Sequence, residues 1–197
     1  MNIADVNMLA IHGTAAPTGG WPIATWAAEA VVFACLVAAA GIDIMDRIIP
    51  NRLVVAVMIA GFALRLLTSP GTVWLSLAVY AVALGMLGVL ASWLLVGWGD
   101  VKLIAAVTLL APPQSVVPLL LAITLAGGVL ACVYLAARHV LRRSASSSGQ
   151  QPAVPLIGLA GILDKERARI LADEPMPYAV AILGGAAYHL AIETMRW

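Results

Sequence analysis

Two aspartates stand out because each lies where an apolar run meets a more polar segment. Asp43 closes the first long apolar run, and Asp100 follows Gly97-Trp98-Gly99. Two carboxylates that share one site cannot both ionise cheaply, so such a pair holds a proton at moderate pH. The ionised partner can take a proton from water while the other protonates the carbonyl oxygen of a peptide bond. These residue types therefore suit peptide hydrolysis without a metal or another cofactor.

The residues around Asp100 add a backbone argument. Gly97 and Gly99 lack a Cβ, so the chain there can take unusual dihedral angles or lie close to a substrate. An extended peptide can hydrogen-bond along such a loop as an added strand. Lys102 either acts on the electric field at Asp100 or anchors to phosphate headgroups, and we favour the anchor.

Composition identifies the solvent of the protein as lipid. Of 197 residues, 62% are apolar and 11% are charged, and the mean hydropathy is +0.99. Soluble domains are about 45–50% apolar and about 25% charged. The net charge of +1 indicates no nucleic-acid partner. The lipid bilayer is the expected surrounding.

A membrane core about 30 Å thick needs a helix of roughly 20 apolar residues. The sequence predicts an all-α membrane protein with six transmembrane helices, near residues 22–43, 52–68, 73–96, 101–112, 115–137 and 176–194. The fourth is short because Ala111-Pro112-Pro113 ends it. Either the membrane thins there, or this helix begins below the surface inside a protein-lined cavity.

The basic residues predict the orientation. Of the 11 Lys and Arg residues, all but Arg65 and Arg196 fall on the side of Asp43 and Asp100. By the positive-inside rule this side is cytoplasmic, so the predicted active site faces the cytoplasm and both termini are periplasmic.

The long segment 138–175 is a predicted cytoplasmic loop within a single integral-membrane domain, 1–197. Its stretch 144–151 is rich in Ser, Gly and Gln and is expected to be flexible. Residues 164–171 can form a short charged amphipathic helix on the membrane surface. We interpret the whole loop as a tether held at the headgroups by its cations.

Two segments together resemble a known family: Asp43-x5-Ile49-Pro50-Asn51 and the sequence G-x-G-D-V-K-L at 97–103. They are similar to the type IV prepilin peptidases, most of all to the small forms of tight-adherence (Flp/Tad) pilus systems. Pro177-Tyr178-Ala179-Val180-Ala181 is similar to the late "PYGVA" segment of that family. The resemblance implies that Asp43 and Asp100 are catalytic. It also implies an active-site loop or substrate-binding role for Gly97, Gly99, Lys102, Ile49, Pro50, Asn51, Pro177 and Tyr178.

The resemblance has departures. Asp46 lies three residues from Asp43, near the same helical face, but its spacing to Ile49-Pro50-Asn51 does not fit the motif. Only Arg47 stands where the family often has several basic residues, and Ala179 replaces a glycine. The larger relatives carry paired CxxC zinc ligands and a methylating activity. Here Cys35 and Cys132 form no CxxC motif, so neither zinc nor N-methylation is expected.

The resemblance implies a bacterial inner-membrane endopeptidase whose partner is a prepilin with a short basic leader before an apolar helix. Cleavage would follow a glycine at the cytoplasmic boundary, and the pilus assembly machinery is a further candidate partner. Three alternatives stay open: a proton-coupled transporter that uses the same carboxylates, a non-catalytic assembly subunit, and a GxGD peptidase of the presenilin kind. The last normally carries a Tyr-Asp pair, which this chain lacks.

Overall fold

The computed structural model describes residues 23–94, 97–145, 159–172 and 174–195, and the regular elements among these residues are helical. Numbered in chain order, the α-helices are α1 (Ile23–Asp46), α2 (Asn51–Thr68), α3 (Val73–Leu94), α4 (Trp98–Val107), α5 (Val116–Ala145), α6 (Leu159–Leu171) and α7 (Tyr178–Met195). Short 3₁₀ turns lie at Pro70–Thr72, Thr108–Leu110 and Pro113–Ser115. The predicted all-α class is confirmed.

Four helical stretches of the described chain are long and apolar enough to cross a membrane: Ile23–Asp46, Asn51–Thr68, Pro70–Trp93 and Pro113–Arg143. They coincide with the first, second, third and fifth predicted spans. The other two predicted spans correspond to shorter helices, α4 with its 3₁₀ extension and α7. The structure thus contains four candidate membrane-spanning helices in its described part, and the six crossings stay a prediction.

The short helix α4 lies in the centre of the bundle, where it packs against α2, α3 and α7. Leu103, Ala105 and Ala106 in this helix have no exposed surface. Of the two alternatives for this segment, a short helix surrounded by protein fits the structure. Its last turn tightens into 3₁₀ geometry and the chain becomes extended at Ala111, before the two prolines.

An early helix end leaves carbonyl groups without partners, and in a membrane such groups are costly. The buried side chain of Arg65, near the end of α2, donates to the carbonyl oxygen of Leu110 at 2.7 Å. The Arg65 side chain therefore supplies a hydrogen bond that the carbonyl of Leu110 lacks within its own helical segment.

The pairing of α5 with α7 depends on close backbone contact. A Cβ on Gly185 of α7 would lie 2.4 Å from the Cα of Ile123 in α5, far inside van der Waals contact. Small residues allow this approach, which supplies packing between membrane helices that burial from water cannot. Gly185 therefore allows α5 and α7 to pack closely. Gly184 has only an ordinary contact, 3.9 Å from the Cβ of Ala126.

The turn between α1 and α2 is set by two residues. Arg47 has a φ of 58°, a left-handed conformation that ends α1, and its N–H donates to the carbonyl of Asp43 at 3.0 Å. Pro50 is extended and caps α2, and its carbonyl accepts from the N–H of Leu53 at 3.0 Å. The short turn makes α1 and α2 packed neighbours.

Candidate active site

Asp43 lies in the last turn of α1 and is 6% exposed. The N–H of Ala179, in the first turn of α7, donates to its Oδ2 at 3.0 Å. First-turn amides lack partners within their own helix and form the positive end of the helix dipole. The start of α7 therefore fixes the orientation of the Asp43 carboxylate, although α7 is far away in the sequence.

Asp100 lies in the first turn of α4, one residue before the predicted span at 101–112 and outside the four long apolar stretches. A Cβ on Gly97 would lie 3.1 Å from its Oδ2, so the missing side chain at Gly97 leaves room for the carboxylate. Burial and, to a smaller extent, the nearby Asp43 charge together raise the pKa of Asp100 to about 6. Asp100 thus holds its proton more tightly than an ordinary carboxyl group.

The two motif segments meet in space. A Cβ on Gly99 would lie 3.3 Å from the Cβ of Ile49, so the first turn of α4 approaches the turn between α1 and α2 at this point. Asp43 and Asp100 therefore lie at one end of the bundle, within electrostatic reach of each other. A buried carboxyl pair of this kind is able to exchange protons with water and with a peptide.

Tyr178 opens α7 immediately before Ala179 and is half-buried. Its hydroxyl reaches across to α5, where a Cβ on Gly127 would lie only 2.7 Å from it. The charge of Asp100 also acts on this hydroxyl. The buried Pro177 precedes it, and its carbonyl accepts from the N–H of Val180 at 3.2 Å. These two predicted site residues therefore lie at the same end as the carboxylates.

Other candidates are more exposed. Pro50 is half-buried in the turn, whereas Asn51 and Lys102 are exposed, and no contact places either beside a carboxylate. Asp46 ends α1 and is also exposed. The contrast in burial favours Asp43 over Asp46 as the carboxylate that can share a site with Asp100.

A family model described as the type IV leader peptidase family matches residues 30–132, slightly more than half of the chain. The chain belongs to the type IV leader peptidase family. It is accordingly a peptidase, and its long apolar helices make it a membrane-embedded one. No curated protein and no solved structure matches it.

The part of the chain that matches the family model contains both carboxylates and the Ile49-Pro50-Asn51 turn. It stops within α5, so α6 and α7 lie beyond it. The amide that holds Asp43 thus comes from outside the matched region. The resemblance inferred from the two motifs is confirmed at the level of the family.

The polar contacts of α6 were not expected from the sequence. Glu166 accepts hydrogen bonds from Arg47 and from the hydroxyl of Tyr134. Lys165 donates to the carbonyl of Met45 at 2.7 Å, and Arg169 donates to that of Ile44 at 2.6 Å. The charged helix was predicted, but as part of a tether at the headgroups. Two of its cations instead bind the end of α1.

Metal ligands do not cluster in the described ranges. No group of three or more His, Cys, Asp and Glu residues there could hold a metal ion. The chemistry available at this end of the bundle is that of Asp43 and Asp100, with the nearby hydroxyl of Tyr178.

Proposed function

We propose that this leader peptidase is an aspartic endopeptidase that removes the short basic leader of type IV, Flp-like prepilins. Cleavage would follow a glycine at the cytoplasmic boundary of the bacterial inner membrane. The observation that carries the proposal is the meeting of two carboxylates from separate helices, Asp43 and Asp100, at one end of an apolar bundle.

The two carboxylates take different roles in this reaction. We assign the proton that the pair shares to Asp100, because burial and the Asp43 charge raise its pKa. Asp43 starts ionised and accepts a proton from water, whose oxygen bonds to the scissile carbonyl carbon, while the carbonyl oxygen takes the proton of Asp100. The C–N bond of the resulting tetrahedral intermediate then breaks. The leaving amine takes the proton from Asp43, and a hydroxyl of the intermediate returns a proton to Asp100.

The substrate class follows from the position of the pair. An apolar pilin helix can lie against the apolar bundle, while a basic leader stays in water at the membrane boundary. Gly97 leaves room for the Asp100 carboxylate, and Gly99 lets the turn at Ile49 lie close to it.

The topology that accompanies this proposal has six crossings, with both termini periplasmic and the carboxylates at the cytoplasmic face. The distribution of Lys and Arg supports it. In such an arrangement α4 and α7 cross as shorter helices, sheltered by the four long ones. The lack of CxxC motifs favours the small Flp/Tad type, for which no N-methylation is expected.

The direct test is cleavage of a short-leader prepilin in detergent or liposomes by wild type, Asp43→Asn, Asp100→Asn and Asp46→Asn. We expect the first two variants to lose about 10²–10⁴-fold in rate, the usual contribution of general acid–base groups. Asp46→Asn is the matched control, because it makes the same change on the same helix at an exposed position. It should cleave at the wild-type rate.

Each other outcome points to a different function. Wild-type rates for folded Asp43→Asn or Asp100→Asn would rule out the acid pair. A wild type that cleaves no prepilin but associates with pilus components would favour the assembly-subunit alternative. Solute flux that stops in both Asp→Asn variants, without cleavage, would favour a proton-coupled transporter.

A further inference from the structure

We propose that Arg47 is a positioning residue of this site, held by Glu166, which keeps the start of α7 against Asp43. This inference rests on the proposed function, because it assigns a role in orienting one of the two catalytic carboxylates. The guanidinium of Arg47 hydrogen-bonds Pro175 and Glu166, so its effect on Asp43 runs through the segment that leads into α7.

The backbone of Arg47 is the first sign of such a role. Its φ of 58° lies in the left-handed region, which disfavours residues that have a Cβ. Glycine commonly fills this position after a helix because it has no Cβ. An arginine there implies that the side chain contributes something that a glycine would lack.

The side chain joins two separate segments. One nitrogen of the guanidinium donates to the carbonyl oxygen of Pro175, and another donates to Glu166 of α6. Pro175 lies four residues before Ala179, whose N–H holds the Asp43 carboxylate. Residues 174–177 have no regular structure, and Glu174 is tied to α6 by its N–H, which donates to the Arg169 carbonyl at 3.1 Å. Arg47 thus fixes this segment directly to the end of α1.

Glu166 in turn is fixed from two further directions. Its Oε1 accepts from the hydroxyl of Tyr134 in α5, and its Oε2 lies 3.6 Å from a guanidinium nitrogen of Arg169. Arg169 also donates to the Ile44 and Met45 carbonyls at the end of α1. The side chains of Arg47 and Glu166 are 13% and 16% exposed. Water screens an ion pair in this setting weakly, so loss of one partner is expected to be costly.

The consequence concerns the hydrogen bond between Ala179 and Asp43. Four parts of the chain meet at the Arg47–Glu166 pair: the end of α1, α5, α6 and the segment before α7. Without the guanidinium, Pro175 loses its hydrogen bond to the end of α1, and among the described residues only the contacts of Glu174 with Arg169 still hold this segment, so the amide of Ala179 can shift relative to Asp43. A carboxylate displaced by about 1 Å can lower a catalytic rate about a hundredfold.

The test uses the full-length protein with Arg47→Gly, because glycine keeps the left-handed helix end and removes only the side chain. We expect kcat for prepilin cleavage to fall about 10–100-fold, while KM stays within about twofold of the wild-type value. Glu166→Gln should show the same pattern. Arg167→Gln is the matched control, since Arg167 is exposed on α6 and outside the pair. It should keep the wild-type kcat.

The melting temperature separates positioning from folding. The melting temperature of Arg47→Gly should fall no further than that of Glu166→Gln, because the glycine removes backbone strain together with the ion pair. Arg47→Lys should recover part of kcat, since one ammonium group can bind Glu166 or Pro175 but does not reproduce the fork of the guanidinium. A kcat for Arg47→Gly equal to that of Arg167→Gln would overturn the proposal. So would a rise confined to KM, which would make Arg47 a substrate contact.

A labelling experiment tests the positioning without any cleavage. Asp43→Cys is made in a Cys35→Ala, Cys132→Ala background, and a maleimide is added to the folded protein. Because position 43 is 6% exposed, we expect slow labelling, accelerated at least about tenfold by Arg47→Gly and unchanged by Arg167→Gln. Equal labelling rates would refute the positioning role. If wild type cleaves no prepilin, the proposed function fails while this measurement still decides on Arg47.

Discussion

The two ends of the α4 segment both carry a charged group, but the two groups behave differently. At its start, Asp100 stands near a second carboxylate, and burial raises its pKa to about 6. At its end, Arg65 donates to the carbonyl of Leu110. The signs of both charges agree with the helix dipole, which favours anions at the start of a helix and cations at its end. The difference lies in the surroundings, because a carbonyl accepts a hydrogen bond from Arg65, whereas burial and then the Asp43 charge oppose ionisation of Asp100.

This contrast separates a charge that maintains structure from a charge that is available for chemistry. Arg65 replaces a hydrogen bond that the helix lacks, so its charge is bound in a structural contact. Asp100 is left with a proton that it can give up near neutral pH. Buried charge in this membrane protein is therefore a sign of function only where its surroundings oppose it.

The largest expected effect on activity comes from changing the charged residue at one end of the α4 segment at a time. Asp100→Asn should lower kcat by about 10²–10⁴-fold and leave the stability at pH 8 undiminished. Arg65→Leu should do the reverse, with a loss of about 1–3 kcal/mol for the unpaired carbonyl and an unchanged kcat per folded molecule. Thermal unfolding in detergent and cleavage rates corrected for the folded fraction measure both. A lower kcat in folded Arg65→Leu would show that the two ends are coupled.

The contact between α5 and α7 tests whether the active site, at the end of the bundle with Asp43 and Asp100, depends on the packing of these two helices. Gly185→Ala should destabilise the bundle by about 1–3 kcal/mol or more, because its Cβ would overlap the backbone of Ile123. Gly184→Ala is the control on the adjacent residue and should be close to neutral. Thermal unfolding of both variants, with cleavage per folded molecule, provides the comparison. Equal stabilities would mean that α7 shifts freely along α5.

Much of this site could be predicted from the sequence because its signals are local. Asp43 and Asp100 each lie at the boundary of an apolar run, and the Lys and Arg distribution assigns both boundaries to one side. The two prolines after Ala111 predict that the fourth helix is short. The family follows from two short motifs. Each of these inferences needs only neighbouring residues and the thickness of a bilayer.

The remaining features depend on contacts between distant residues. Arg47 meets Glu166 across more than a hundred residues, and the amide on Asp43 comes from α7. Helical periodicity places a charged face on α6 but does not say whether lipid or α1 receives it. Helix boundaries also shifted, since α1 continues past the predicted end at 43 to Asp46. The motif spacing already favours Asp43 over Asp46, and the structure adds that Asp43 is buried and Asp46 is exposed.

A smaller effect on the cleavage rate should show whether Tyr178 belongs to the active site. Gly127→Ala would place a Cβ 2.7 Å from the Tyr178 hydroxyl, so the ring must rotate away from its position near Asp100. We expect cleavage to fall roughly tenfold, an amount typical of a misplaced polar group. Gly128→Ala, next to it and without neighbours within 4 Å, should cleave normally. Equal rates for the two would exclude Tyr178 from the site.

The smallest effect is a dependence of stability on pH, which we expect from Asp100. The pKa of Asp100 is raised from 3.8 to about 6 in the folded protein, so the folded state holds the proton more tightly than the unfolded chain. The contribution of Asp100 to the free energy of unfolding therefore falls as the pH rises from about 4 to about 6, and then levels off. Asn cannot ionise, so Asp100→Asn should melt a few degrees above wild type at pH 8 and at the same temperature near pH 4. The matched Asp46→Asn variant should melt like wild type at both pH values. A difference between Asp100→Asn and wild type that is the same at pH 4 and pH 8 would show that ionisation of Asp100 does not oppose folding, and the contrast with Arg65 would then lose its electrostatic basis.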